Sequence, residues 1–257
     1  MRVATIALHT FKESVRQKVL YNLVAFALLL IGAAILFGSI SVGVEQIILI
    51  TLGLTSISVF GLLIAIFIGI DLVSKEIERR TIYNILSKPV SRVEFILGKY
   101  LGLLLTLFVN TAVMTAGFYA ALFYQKGALV RGDLVFLGAV YFILLELAMV
   151  VGIAVVFSCI STPVLSAVCT FCLYVIGNFS ADLRAFGQET QNAFVGTVCD
   201  ILYYLLPNFG NFNVISQVAH AAKIPSYLWV GNSFYALLYL VVLVSIGILI
   251  FEEREFR

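Results

Sequence analysis

The chain has 257 residues, 62% of them apolar and only 12% charged, with a formal net charge of +2 and a mean hydropathy of +1.09. A soluble domain carries roughly 25% charged residues, and a ball of this length cannot hide so much apolar surface from water. Lipid is therefore the solvent for most of the chain. A soluble enzyme and a disordered protein are excluded, and so is a nucleic-acid module, which needs a phosphate-neutralising field that no basic tract here supplies.

The first twenty residues carry Arg2, Thr5, His9, Lys12, Glu13 and Arg16 at three- and four-residue spacing, opposite Val3, Ala7, Phe11 and Val15. The pattern predicts an amphipathic interfacial helix over 1–20, apolar face down on the membrane and basic face toward anionic headgroups, either as a surface anchor leading into the first span or as a docking element for a partner. Six apolar runs follow, judged against the roughly 20 residues a helix needs to cross the hydrocarbon. They are Tyr21 to Ile40, Ile47 to Ile70, Tyr100 to Tyr124, Leu134 to Ser158, Val164 to Phe179 and Ser233 to Phe251. Only the fifth is short, and Pro163 before it suits a first helical turn. The first run is no cleaved signal, because a charged segment precedes it and no small-residue cleavage site follows. Within the second span, Gly61, Ala65 and Gly69 repeat every four residues. They form a flat seam for another helix, either of this chain or of a second copy.

Polar groups in hydrocarbon are costly, which singles out Asn110 in the third span and Glu146 in the fourth. Two readings stand for them: hydrogen bonds that hold the bundle together, or a place on a substrate path or ion relay. Cys169 and Cys172 have no further ligand in reach and read as small packing residues. The Asn178-Phe179-Ser180 sequon abuts the end of a span and carries no weight.

Orientation follows from the cations. If both termini share a face, that face holds Arg2, Lys12, Arg16, Lys18, Lys75, Arg79, Arg80, Lys88, Arg92, Lys99, Arg254 and Arg257, against Lys126, Arg131, Arg184 and Lys223 on the other. By the positive-inside rule the termini are cytoplasmic.

Two segments outside the spans are informative. In 71–99, DLVSKEIERRTIYNILSKPVSRVEFILGK, Glu76 and Arg80 are four apart, an order that supports a helix. Ile77, Thr81, Ile85 and Leu86 make a narrow apolar stripe, which Pro89 breaks. Ser91 and Glu94 form a capping box, and Val90 and Phe95 stand at hydrophobic-staple positions. The segment thus reads as a short helix, a sharp corner and a rigidly capped restart of the third span. The outer segment 180–232 is too long to lack structure of its own. Phe194, Val198, Ile201, Leu202 and Leu205 predict an amphipathic helix, with Thr190 as its cap and Pro207 as its stop. The run NFGNFN reads as a turn, Val214 to Ala222 as a second short helix, and Tyr227, Trp229 and Tyr235 as interfacial aromatics.

Catalytic apparatus is missing from the sequence. Its two histidines, His9 and His220, form no HExxH and no triad, and there is no P-loop motif GxxxxGK[ST]. No metal site is expected.

This arrangement resembles the permease subunit of ABC-2 type exporters: an amphipathic N-terminal helix, six spans, a long loop after the second and outer helices before the sixth. The sharper likeness is an acidic pair, a Thr, LSKPVSR and LGKYLG, here Glu76, Glu78, Thr81, Leu86 to Arg92 and Leu97 to Gly102. It is closest to the branch of multicopper-enzyme-maturation and related export permeases, although many members have Gly where Arg80 stands. The resemblance implies an all-α polytopic membrane protein forming a single transmembrane permease domain over 1–257. It implies a coupling helix seated in a separate ABC ATPase subunit, built from Glu76, Glu78, Arg79, Arg80, Thr81, Leu86, Ser87, Lys88, Pro89, Ser91 and Arg92. ATP and Mg would be bound by that partner and no cofactor by this chain. A second permease, copy or sibling, would complete the unit, with spans two and five at the interface and the outer helices as exit gate. Membrane lipid is the remaining expected partner, and an inner membrane of a bacterium or archaeon the expected location. The alternatives are an ATP-independent channel or secondary transporter, which ought to show more intramembrane charge or a repeated pair of broken helices, and a membrane anchor that recruits a partner through 71–99.

Overall fold

The computed structural model describes residues 2–41, 43–78, 91–190 and 193–253. Among them the secondary structure is helical throughout: α1 (Arg2–Val15), α2 (Lys18–Ile40), α3 (Glu45–Glu78), α4 (Arg92–Lys126), α5 (Val135–Ile160), α6 (Pro163–Asn178), α7 (Ser180–Glu189), α8 (Ala193–Leu205), α9 (Ile215–Ala219) and α10 (Ser226–Glu253), with 3₁₀ turns at Arg131–Leu134 and Phe209–Phe212. Five helices are long and apolar enough to cross a membrane, and α6 with α7, bent by 52° at their junction, makes a sixth when the pair is taken as one span. The bend lies at Phe179, whose φ of −93° and ψ of 8° leave the helical region. The protein is an integral membrane protein.

α5 is the central helix. Of its most apolar window 72% is buried inside the bundle, against 22% for α2 and for α10, so α2 and α10 form the lipid-facing periphery. The seam on α3 packs against α5. A β-carbon on Gly61 would stand 2.5 Å from Leu147 Cδ1 and one on Gly69 2.6 Å from Ala154 Cβ, while Ala65 between them is fully buried. The seam is therefore filled within the chain. Of the two partners the sequence left open, a helix of this chain and a second copy, the first is what the seam meets, although it is the fourth span and not the fifth that the resemblance implied: with no hydrophobic driving force between helices in lipid, the small residues serve the closest approach to the central helix.

The ends of the helices sort into two faces. At one, α1 runs along the start of α4, where β-carbons at Gly98 and Gly102 would meet Ile6 and Thr10 at 2.7 and 2.6 Å, and Phe95 of α4 stacks on Phe251 of α10 at 5.6 Å. At the opposite face Gly38, near the α2–α3 turn, adjoins Glu45 and Gln125. α4 there ends on Gly127, whose φ of +73° is a left-handed cap that glycine adopts without strain. Lys126 then pairs with Asp133 at 2.6 Å, and the other Asp133 carboxylate oxygen accepts from the Val130 N–H at 2.9 Å, closing the α4–α5 connection. Trp229 of α10 lies over Gly138 of α5 at that face. α1 and the end of α10 thus both adjoin the start of α4.

Several local expectations are corrected. α1 turns toward α4 a face of Thr10 and Ser14, both fully buried, flanked by Val3, Ile6 and Ala7, while Leu8 is exposed. Helix contact in a membrane protein follows small side chains more than large apolar ones. The Thr190 hydroxyl donates back to the Phe186 carbonyl at 2.8 Å and so finishes α7, a helix the sequence reading left unassigned. α10 starts at Ser226, ahead of the expected Ser233. The NFGNFN turn is an inserted plug, with Phe209 and Phe212 fully buried and Val214 and Val218 each 2% exposed.

Candidate functional site

Most of the predicted coupling segment lies outside the described residues: Arg79, Arg80, Thr81, Leu86, Ser87, Lys88, Pro89 and Val90. Its flanks are described. The helix of the second span continues without a break to Glu78, so Glu76 and Glu78 extend a membrane helix and do not begin a separate one. On the far flank Ser91 caps α4. The Glu94 N–H donates to Ser91 Oγ at 3.1 Å and the Ser91 N–H to Glu94 Oε2 at 3.1 Å, the reciprocal pair expected from the sequence. Arg92 is the first helical residue.

Two turns into α4 lies Lys99, which the sequence reading counted among the cations and within the LGKYLG run. The Lys99 side chain is only 3% exposed and its Nζ stands 4.0 Å from Glu13 of α1, over the Phe95 ring at 5.7 Å. Phe95, 6% exposed, is held against Phe251. Within nine residues of segment 79–90, then, the chain is fixed to α1 and to the end of α10. The signal for this junction was the Gly98 and Gly102 pair around Lys99, a small-residue notch one turn long. On the outward side of α1, His9, Lys12, Glu13 and Arg16 line a shallow concavity of about 450 Å³.

The second polar site is inside the membrane. Glu146 of α5 is 4% exposed, and its carboxyl group interacts with the side chains of Tyr174 and Asn178, one turn apart on α6. Tyr174 interacts in turn with Ser58 of α3, and Asn178 Nδ2 donates to the Tyr174 carbonyl at 3.2 Å. Asn110 is not part of this cluster. Its amide donates to the Thr106 carbonyl of its own helix at 2.8 Å, which satisfies it where it stands.

The inserted turn sits on the two partners of Glu146. Phe209 packs its ring on Tyr174 at 5.3 Å, a β-carbon on Gly210 would lie 3.2 Å from the Asn178 carbonyl oxygen, and one on Gly177 would collide with the Pro207 carbonyl oxygen. Gly177 is thus required for the turn to seat. From the other side α10 holds it: the Asn208 N–H donates to Tyr235 Oη at 3.0 Å and Asn232 Nδ2 to the Asn211 carbonyl at 2.8 Å. Tyr235 is accordingly a latch on the plug. Asn208 itself is 5% exposed, and its Oδ1 is buried with no hydrogen-bond partner among the described residues. Sequence reasoning missed Ser58, Tyr174, Asn178 and Asn208. The available signal was a polar pair four residues apart, Tyr174 and Asn178, at the end of the one short span.

Among the described residues no group of three or more His, Cys, Asp or Glu is placed to hold a metal. No disulfide joins the four cysteines; Cys169 and Cys172 face the surroundings of α6 to different extents, one half-buried and one exposed.

No curated protein matches the chain significantly. The family model described as "ABC-2 family transporter protein" matches residues 4–256, from the first turn of α1 to beyond the last turn of α10. A polytopic helical bundle matched over that extent, the chain belongs to the ABC-2 family of transporter proteins.

Proposed function

We propose that this chain is the membrane-spanning subunit of an ATP-driven exporter, powered by a separate ATPase subunit that binds ATP and Mg. The observation that carries the reading is the junction that follows segment 79–90. A force applied to that segment meets a capped helix start within one residue, then Phe95 against α10 and Lys99 against α1. Rigid connections of this kind move three helices together, where a slack linker would absorb the push. The chain has no P-loop of its own, which is why the nucleotide chemistry is assigned to a partner.

On this reading Glu76 to Arg92 engage the ATPase, both termini are cytoplasmic in a bacterial or archaeal inner membrane, and a second permease subunit completes the transporter. The turn at 207–213, with α7 and α8, occupies the exit side. Two experiments test the proposal. Purification from native membranes in mild detergent is expected to recover a nucleotide-binding subunit with this chain, and its absence would sink the idea. The paired variant Glu76→Lys with Arg80→Glu is expected to keep its fold and lose the coupling of ATP hydrolysis to export. Unchanged ATP-dependent transport would refute the coupling assignment.

A further inference from the structure

We propose that Glu146 is a proton-binding site, and that the proton it holds keeps the turn at 207–213 seated between α6 and α10. The proposal stands apart from the ATPase reading, because it rests on one buried cluster and its test needs no partner.

α3 contributes Ser58 to the cluster, α6 contributes Tyr174 and Asn178, and beyond them the turn brings Asn208 and α10 brings Tyr235. The spans and the turn around it supply no cation. The sequence contains no Lys, Arg, His or Asp in 47–70, 100–125, 135–178, 207–219 or 226–251, and Glu146 is the single Glu in all of them. An isolated buried carboxylate costs far more than hydroxyl and amide hydrogen bonds return, so the group keeps its proton while it is buried.

The seal over it is the turn. On α6 it touches the Tyr174 ring, Gly177 and the Asn178 backbone carbonyl, and the side chains of Tyr174 and Asn178 are the two that interact with the carboxyl group. Lifting Phe209 and Asn208 away from α6 opens that cluster to water. The carboxyl group then gives its proton to water and the carboxylate is hydrated. Reseating the turn requires the proton back, since dehydration of the anion would otherwise oppose it. Asn208 Oδ1, buried without a partner, makes the seated turn easier to lift, because water supplies the hydrogen bond it lacks.

The sign of the pH dependence follows from linkage. The seated state binds one proton more than the lifted state, so rising pH favours lifting, by up to about tenfold per pH unit in the window where the lifted carboxyl group has ionised and the seated one has not. Low pH favours the seated turn.

Hydrogen exchange on the full-length chain in lipid nanodiscs reads this directly. The amides of Asn208, Asn213 and Val214 are hydrogen-bonded within the plug. Between about pH 6 and about pH 9, after normalisation for intrinsic exchange, their opening is expected to increase at least about tenfold. Glu146→Gln, a neutral isostere, is expected to exchange slowly at both values, and Glu146→Asp to restore the dependence. Tyr235→Phe removes a latch and is expected to raise exchange at every pH while keeping the slope. A flat profile in the unmodified protein overturns the proposal, and so does a slope that survives in Glu146→Gln.

Discussion

A β-carbon at Gly102 would lie 2.6 Å from the Ala7 carbonyl oxygen and 2.6 Å from Thr10 Cβ, atoms fixed by the backbone of α1. At Gly61 the nearest atom is Leu147 Cδ1 at 2.5 Å, the far end of a side chain with other rotamers available. Both glycines lie in tight interhelical contacts, yet the physical expectation differs. Gly102→Ala is expected to cost about 1–3 kcal/mol by overpacking and to loosen α1 from α4, whereas Gly61→Ala is expected to cost clearly less. Thermal unfolding of both variants in one detergent decides it, and equal losses would refute the distinction. The same scale shows what single residues disclosed in advance. Gly61, Ala65 and Gly69 announced a close contact, because only small residues every four positions leave such a groove. They did not announce its partner, because any helix passing at that angle fits. Glu146 was legible as a residue of interest from its cost alone. Its neighbours were not, since Ser58, Tyr174 and Asn208 are ordinary residues until folding brings them together.

At the scale of elements, the start of α4 was the most legible, because a capping box is closed by groups three residues apart and needs nothing from the rest of the fold. Ser91→Ala removes the hydroxyl that accepts the Glu94 N–H and is expected to cost about 1 kcal/mol, with faster exchange of the Glu94 amide and little change beyond the first turn of α4. Exchange that rises along the whole of α4 would mean the cap does more than finish its own helix. The bend between α6 and α7 was invisible to the sequence reading, which stopped the fifth span at Phe179. A continuous apolar count cannot distinguish a helix that ends from one that turns, and here Ser180 helps hold the bend by donating to the Gly177 carbonyl at 2.9 Å. The plug was misread for a related reason. Asn and Gly are turn residues in any solvent, and the burial of Phe209 and Phe212 depends on Gly177 leaving room for the Pro207 carbonyl, thirty positions away. For the exposed faces of α2, α8 and α10, lipid makes outward Phe, Leu and Ile unremarkable, so apolarity there separates neither lipid from protein nor one neighbour from another.

For the whole molecule, the number of crossings turns on the path from Pro163 to Ser226. α5 runs from the face holding Trp229 and Gly138 to the face holding the start of α6, and α10 begins back beside Gly138. The chain therefore has to return across the bundle between them. α6 rises about 24 Å over its sixteen residues, short of the roughly 30 Å of a hydrocarbon core, and the bent junction with α7 supplies the remainder. Taking α6 and α7 as one span gives six crossings, an arrangement with α1 and the end of α10 on one side and the Lys126–Asp133 pair on the other. The basic residues bear on which side is which: twelve of the sixteen cations fall with the termini, the cytoplasmic arrangement under the positive-inside rule. Single cysteines placed at Arg16 and at Arg131, in a chain whose four native cysteines are replaced by serine or alanine, are expected to label from opposite sides of intact cells with a membrane-impermeant thiol reagent. Arg131→Cys should react from outside and Arg16→Cys only after permeabilisation. Reaction of both from the same side would leave α2 to α4 with an even number of crossings and undo the topology, while the reverse assignment would keep the six crossings and place segment 79–90 out of reach of any cytoplasmic ATPase.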